Sequence, residues 1–285
     1  MTNLSPGKAD IAHLRSWIGR EEEASDVVTV ELVLKFRATF DLPGGAPQPG
    51  EVAPRLIHFC LAQAAAATAA LGADGHPKKG GFLPPVPLPR RMWAGGSTSF
   101  HRELRVGDMV RRVSRIQDVA LKEGRTGLLY FVTVEHLVDA NGTPVLSETQ
   151  TIVYRGLDSG GSKQTAAPVE AGRWRHRVDP SASLLFRYSA LTFNGHRIHY
   201  DRPYATGVEH YPGLVVQAPL QATLLLNYAT EIRGTPPARF SFRSFSPLFD
   251  DDPFWLNAEE DGGTLKLWTA RESAQLAMTA EAEWA

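Results

Sequence analysis

Ala218-Pro219-Leu220-Gln221-Ala222-Thr223-Leu224-Leu225-Leu226-Asn227-Tyr228-Ala229-Thr230-Glu231-Ile232 is the stretch on which the fold turns. Proline belongs at the first helical position, where its missing N–H costs nothing and its fixed φ suits the helix. The run from Leu220 to Ile232 then has no Gly or Pro, and its one charge, Glu231, stands near the far end, which predicts a buried helix. Segments of strand character follow it at Phe254 to Glu260, Thr264 to Thr269 and Ala277 to Trp284, with another directly behind the helix at Phe240 to Phe245.

The first half of the chain repeats this order. Ala53-Pro54 opens an Ala/Leu-rich run, Arg55 to Leu71, read as a matching buried helix. Strand patterns follow at Ser97 to Phe100, Met109 to Lys122, Gly127 to Val138 and Pro144 to Tyr154, the last two joined by Asp139-Ala140-Asn141-Gly142, a hairpin signal. Thr39-Phe40-Asp41 echoes Thr192-Phe193-Asn194, and Glu103 to Asp108 echoes Pro247 to Asp252. Three echoes in one sequence order predict a tandem duplication. An antiparallel sheet buries one face on a helix, and pairing two such units closes a larger core. The expected class is α+β, a double hotdog in which each unit wraps a sheet around a central helix. Its predicted boundaries are 1–155 for the N-terminal unit, 156–171 for a Gly/Ser/Lys/Ala-rich linker, and 172–285 for the C-terminal unit. Lys8 to Arg20 and Val30 to Phe40 read as short helices, and the Gly/Pro-loaded Gly72 to Pro89 as an extended loop.

A length of 285 residues suits two cores of ordinary size. With a formal net charge of -1 and no Lys/Arg stripe interleaved with aromatics, neither nucleic acid nor an anionic membrane is an expected partner. The single cysteine, Cys60, excludes an internal disulfide and a cysteine-based zinc cluster; on the apolar face of the Ala-rich helix it reads as a small buried thiol. No long uncharged apolar segment opens the chain, so neither a signal peptide nor a membrane span is indicated and a cytoplasmic enzyme is expected.

Chemistry concentrates in Asn194-Gly195-His196-Arg197-Ile198-His199-Tyr200-Asp201, a Gly-hinged loop with two imidazoles and a carboxamide. Histidine titrates nearest neutrality and can both take and return a proton, while Asn orients a water without titrating. Asn-Gly is also a turn former, and most histidines are solvated or satisfied by one hydrogen bond. The halves differ here. The connection from Asp41 to Pro54 lacks His, Ser, Cys and Lys, whereas that from Asn194 to Pro219 carries His196, His199, Asp201, Glu209, His210 and Tyr211. One working site is expected, in the C-terminal unit, with the N-terminal unit degenerate and contributing to the pocket. His196 reads as a loop residue facing water. No familiar metal-ligand spacing links His196, His199, His210 and Asp201.

The stretch Phe186 to Asp201, the continuation Tyr211-Pro212-Gly213-Leu214-Val215-Val216-Gln217-Ala218-Pro219-Leu220, and Pro89 to Gly96 resemble the double-hotdog, MaoC-like enoyl-thioester hydratases and dehydratases. Within that group the chain looks most like the mesaconyl-CoA and itaconyl-CoA hydratases and the mitochondrial-type 3-hydroxyacyl-thioester dehydratases. The resemblance implies a hydro-lyase that adds water reversibly to a 2-enoyl-CoA, most of all a branched dicarboxylyl-CoA, needing no metal and no cofactor beyond the coenzyme A of its substrate. It maps catalysis onto Asn194 and His199, with Asn194 where the wider group has Asp, and Ala218 where it usually has Gly. His199 would activate water and Asn194 would hold it. Backbone N–H groups around Gln217 and Ala218 would meet the developing enolate. Arg90, Arg91, Trp93, Arg187, Tyr188, Gly213, Leu214 and Val215 are the expected substrate contacts, an Arg being suited to a free acyl carboxylate. The alternatives are a 3-hydroxyacyl-carrier-protein dehydratase and a non-catalytic acyl-thioester binder. A thioesterase fits less well, since the central helix lacks a carboxylate before Glu231. Homo-oligomerisation stays open.

Overall fold

The computed structural model describes residues 10–124, 127–156 and 168–284. In chain order the elements are α1 (Ile11–Arg15), β1 (Glu21–Val27), α2 (Val30–Thr39), β2 (Arg90–Phe100), β3 (Met109–Gly124), β4 (Gly127–Ala140), β5 (Thr143–Arg155), β6 (Trp174–Val178), α3 (Ala182–Leu191), α4 (Arg202–Gly207), α5 (Ala218–Arg233), β7 (Arg239–Ser244), β8 (Phe254–Asp261), β9 (Thr264–Arg271) and β10 (Leu276–Glu283). Most of the expected linker, 157–167, lies outside the described residues.

All ten strands form one sheet in the order β1-β3-β4-β5-β2-β7-β10-β9-β8-β6, and every neighbour is antiparallel. Exchanging β1–β5 for β6–β10 in sequence order maps this arrangement onto itself. The symmetry centre is the β2·β7 ladder, where Gly95 faces Arg243 and Ser99 faces Arg239. Gly95 is needed there because a Cβ would lie 2.7 Å from the Phe242 carbonyl oxygen. The β4–β5 hairpin turns on Asn141 and Gly142 at φ 51° and 78°, the pair of left-handed positions that an Asn-Gly turn supplies.

The helices preceding the strands also match. Thr29 caps α2 through Leu32 N–H, and Ser181 caps α3 through Leu184 N–H, each helix running ten residues. The left-handed residue after each is Asp41 and Phe193, one position off the Phe40-Asp41/Phe193-Asn194 echo. The Val52–Arg105 and Val215–Phe249 bridges correspond in turn, which aligns Arg105 with Phe249 as the second echo has it.

The halves part company at the central helix. In the C-terminal half α5 spans Ala218–Arg233, ends on left-handed Gly234, and buries Leu220, Ala222, Leu225, Leu226 and Ala229. In the N-terminal half the expected helix over Arg55 to Leu71 does not form. Its place is taken by two 3-10 turns, Ile57–Cys60 and Thr68–Ala70, joined by extended chain. Alanines offer little apolar surface to bury, and isolated helical nuclei are costly, so propensity loses to the tertiary setting. That setting is polar: Thr98, Ser114, His136 and Glu148 are buried on the facing sheet. Cys60 is buried as expected, on a 3-10 turn rather than a helix, and burial pushes its thiol up to about 12, which makes it inert. Of the helix expected over Lys8 to Arg20, residues 8 and 9 lie outside the described residues and α1 covers Ile11–Arg15; Glu21 to Glu23 enter β1. The main core crosses both halves, with Phe40 on Tyr188 at 5.9 Å between ring centroids.

Candidate active site

A cavity of about 800 Å³ is lined by residues of both halves. Exposed Phe186, Phe193, Tyr200 and Phe245 rim it, with Lys78 and Lys79 nearby on the lining; Arg112, His136 and Glu148 form a wall on the N-terminal sheet, joined by His58 from the 3-10 turn Ile57–Cys60.

His199 reaches this cavity by a chain of local constraints. Left-handed Phe193 ends α3, Asn194 N–H donates to Ser189 O at 2.8 Å, and a 3-10 turn over Arg197–His199 follows. Asp201 stops that turn and caps α4 through Tyr204 N–H. The buried His199 ring sets Nδ1 2.7 Å from the Val215 carbonyl oxygen. A carbonyl only accepts, so the proton sits on Nδ1 and Nε2 carries a free lone pair. Burial, and after it the neighbouring His196 imidazole, hold the His199 pKa well below its ordinary value. The ring is therefore a neutral base.

His196 does not face water. It is buried with its ring 5.2 Å from that of His199 and 4.1 Å from that of His76, and Nε2 lies 3.7 Å from Glu209 Oε1. His76 Nδ1 lies 3.0 Å from Asp74 Oδ2. Burial lowers the His76 pKa to about 3, against the pull of the Asp74 hydrogen bond. Burial alone would raise the Asp74 carboxyl, but the His76 hydrogen bond holds it below the usual carboxylate range. Asp74, His76 and His196 bring ligand-type atoms within 4.8 Å of one another, a grouping other than the one weighed from sequence.

The loop carrying Asp74 and His76 docks on the site loop through backbone. Arg197 N–H donates to Asp74 O at 2.9 Å, and Gly75 meets Gly195 so closely that a Cβ on Gly75 would lie 1.9 Å from the Gly195 carbonyl oxygen.

Asn194 lines the cavity, and its side-chain oxygen accepts the His196 N–H at 3.0 Å, which leaves the amide nitrogen as the group to address a ligand. Gln217, the N-cap of α5, makes no side-chain cap; its amide donates to Leu185 O and Ser189 Oγ, each at 2.9 Å. The first-turn N–H groups of α5 thus face the cavity end without a side-chain acceptor, and the helix dipole adds positive potential.

Of the expected substrate contacts, Arg91, Trp93, Tyr188 and Val215 line the cavity, as do the expected backbone donors Gln217 and Ala218, with Asn194 and His199. Arg90, Arg187, Gly213 and Leu214 do not. Arg90 is buried against Glu209, donating to its carbonyl and pairing with Oε2 at 3.6 Å, and stacks on Tyr211; it braces the loop. Arg187 is exposed on α3. Gly213 and Leu214 pack on Asp250, which accepts Leu214 N–H at 2.8 Å. Asp74, His76, His58, Arg112, His136 and Glu148 carried no local signal. The first two sit in a Gly/Pro loop, and the strand residues share alternation with outward-facing polar positions.

A family profile described as hydroxyacyl-thioester dehydratase type 2 matches residues 56–250. The chain is 42% identical over 272 residues to the mesaconyl-C(4)-CoA hydratase of Chloroflexus aurantiacus, covering 94% of this chain and 96% of that protein. It is 27% identical over 264 residues to the mitochondrial hydroxyacyl-thioester dehydratase type 2 of Schizosaccharomyces pombe, covering 84% and 85%. A MaoC-like dehydratase of Phytophthora capsici superposes with a TM-score of 0.70 at 12% identity, covering 97% of this chain and 99% of that one. A Mycobacterium tuberculosis protein described as a double hotdog superposes at 0.58 with 12% identity, covering 98% and 99%. These two establish the fold as a double hotdog, its N-terminal unit lacking the central helix.

Proposed function

The chain belongs to the hydroxyacyl-thioester dehydratase type 2 family and is a hydro-lyase; we propose that its cavity hydrates a short branched dicarboxylyl-CoA such as mesaconyl-C4-CoA, and that Asn194 and His199 carry the reaction. The observation behind this reading is the buried, neutral His199, whose free Nε2 shares a cavity with Asn194 and the uncapped start of α5.

In the hydration direction His199 Nε2 takes a proton from water as the hydroxyl oxygen bonds to the β-carbon. The π electrons move onto the thioester oxygen as an enolate, and the imidazolium then returns the proton to the α-carbon. Asn194 donates to the water oxygen and fixes its approach, and cannot itself take the proton. The enolate oxygen is met by backbone N–H groups at Gln217 and Ala218; Pro219 has none to give. The Val215 carbonyl, holding Nδ1–H, keeps one tautomer throughout. No step calls for a metal or a cofactor other than the CoA handle.

Purified protein with mesaconyl-C4-CoA or crotonyl-CoA is expected to consume the enoyl absorbance, and His199→Ala to lower kcat by about a thousandfold or more. Activity surviving that substitution removes His199 from its role. Tight binding of both esters without turnover would mark a non-catalytic binder.

A further inference from the structure

On the N-terminal half, four strands place Ser114, His136, Glu148 and Thr98 directly opposite one another across the sheet. All four are buried, on the face that lacks a central helix. His136 Nδ1 lies 2.8 Å from Ser114 Oγ, and His58 Nε2 lies 3.3 Å from Glu148 Oε2, with Gln150 donating to Oε1 at 3.2 Å. Arg112 sits beside this row, its Nη2 donating to Ala62 O at 2.6 Å. Ala62 adopts a left-handed φ of 52° and its N–H donates to Asp26 Oδ2 at 3.0 Å, so the guanidinium is held by a strained turn pinned on both sides.

We propose that this wall is an acyl-terminus site that accepts a carboxylate at the end of a short acyl chain, with Arg112 as the specificity-determining residue. The inference rests on the hydratase reading above and assigns the part of that cavity that reads the acyl group. His58, Arg112, His136, Glu148 and Gln150 line the same cavity as Asn194 and His199. Three side-chain atoms of this wall, Arg112 Nε, His58 Nδ1 and His136 Nε2, are buried and make no hydrogen bond within the protein. A hydrocarbon tail lying against them leaves each unsatisfied, whereas a carboxylate offers acceptors to the guanidinium edge and to an imidazole. Two acids lie near the guanidinium: Glu148 is engaged by His58 and Gln150, the His58 hydrogen bond holding its carboxyl below the ordinary value against burial, and burial raises the Glu22 carboxyl against the pull of Arg112, so the Arg112 Nε edge is the donor left for a ligand. The same groups disfavour the long aliphatic chains that an all-apolar tunnel accepts.

The test compares kcat/KM for mesaconyl-C4-CoA, crotonyl-CoA and 2-decenoyl-CoA in the wild type, Arg112→Met and Arg112→Lys. The wild type is expected to favour mesaconyl-C4-CoA over crotonyl-CoA by about a hundredfold, with 2-decenoyl-CoA the poorest. Arg112→Met lowers that preference by at least about thirtyfold, and Arg112→Lys restores part of it. The ratio is independent of how much of each variant folds. An unchanged ratio in Arg112→Met overturns the assignment and leaves the hydratase reading standing; a wild type that prefers 2-decenoyl-CoA overturns the assignment together with the dicarboxylyl substrate and leaves only hydro-lyase activity. Failure of the wild type to turn over any of the three overturns both.

Discussion

Three imidazoles, at His199, His76 and His136, are held below their ordinary pKa by burial in the folded chain, and that couples stability to pH. In the unfolded chain each takes a proton below about pH 6.5. In the folded protein burial keeps His76 unprotonated to about 3 and places His199 well below its ordinary value. As pH falls through 6.5 the unfolded state binds more protons, so stability drops, each group contributing about 1.4 kcal/mol per pH unit. Asp74 acts in another window. Its folded carboxyl stays ionised below the usual 3.8, so its share is present above that value and is lost only in stronger acid. Thermal unfolding is expected to show Tm falling from pH 7.5 to pH 5, with a shallower slope in His76→Gln. A flat Tm over that interval would show that these rings protonate in the native state.

The contact between two loops, one from each half, sets the site geometry. Gly75 at φ 86° touches Gly195 backbone to backbone, and the Arg197 N–H and guanidinium hold the carbonyls of Asp74 and Ala73. Only glycine fits, since a Cβ at 75 would overlap the Gly195 oxygen and would sit in a left-handed conformation. Gly75→Ala is expected to push the loops apart by about 1 Å and to lower kcat/KM by about a hundredfold, since catalytic geometry tolerates little displacement. Steady-state kinetics beside a melting curve check this. Activity within twofold of wild type would show that the loop contact does not position His199. Apolar patterning marks eight of the ten strands and α5, because those elements bury a regular stripe; β1 and β6, at the two ends of the sheet, bury no residue and carry no such stripe. It misread residues 55–71, where alanine-rich composition favours a helix and the polar sheet opposite refuses one.

Across the whole molecule, the β2·β7 ladder and a core running from Phe36 and Phe40 to Tyr188 and Leu220 leave no plane along which the halves separate cleanly. Calorimetry is expected to show one cooperative transition, with calorimetric and van't Hoff enthalpies in agreement. Two resolved transitions would mean that the halves fold as independent units.

The sequence alone determined the duplicated strand-rich plan, α5 with its Ala-Pro start, the Asn-Gly hairpin, and the loop that carries Asn194 and His199, because each is written in residues close together along the chain. Tertiary structure alone decided the rest. His76 and Asp74 reach His196 through the Gly75–Gly195 contact and the Arg197 hydrogen bonds to Asp74 and Ala73, and Arg112, His136 and Glu148 meet only through the register of neighbouring strands. Arg187 stands on the exposed side of α3 and Arg90 binds Glu209, although both are basic residues in matched motifs. A strand shows its period but not which face is inward, and a loop shows its composition but not what it will touch.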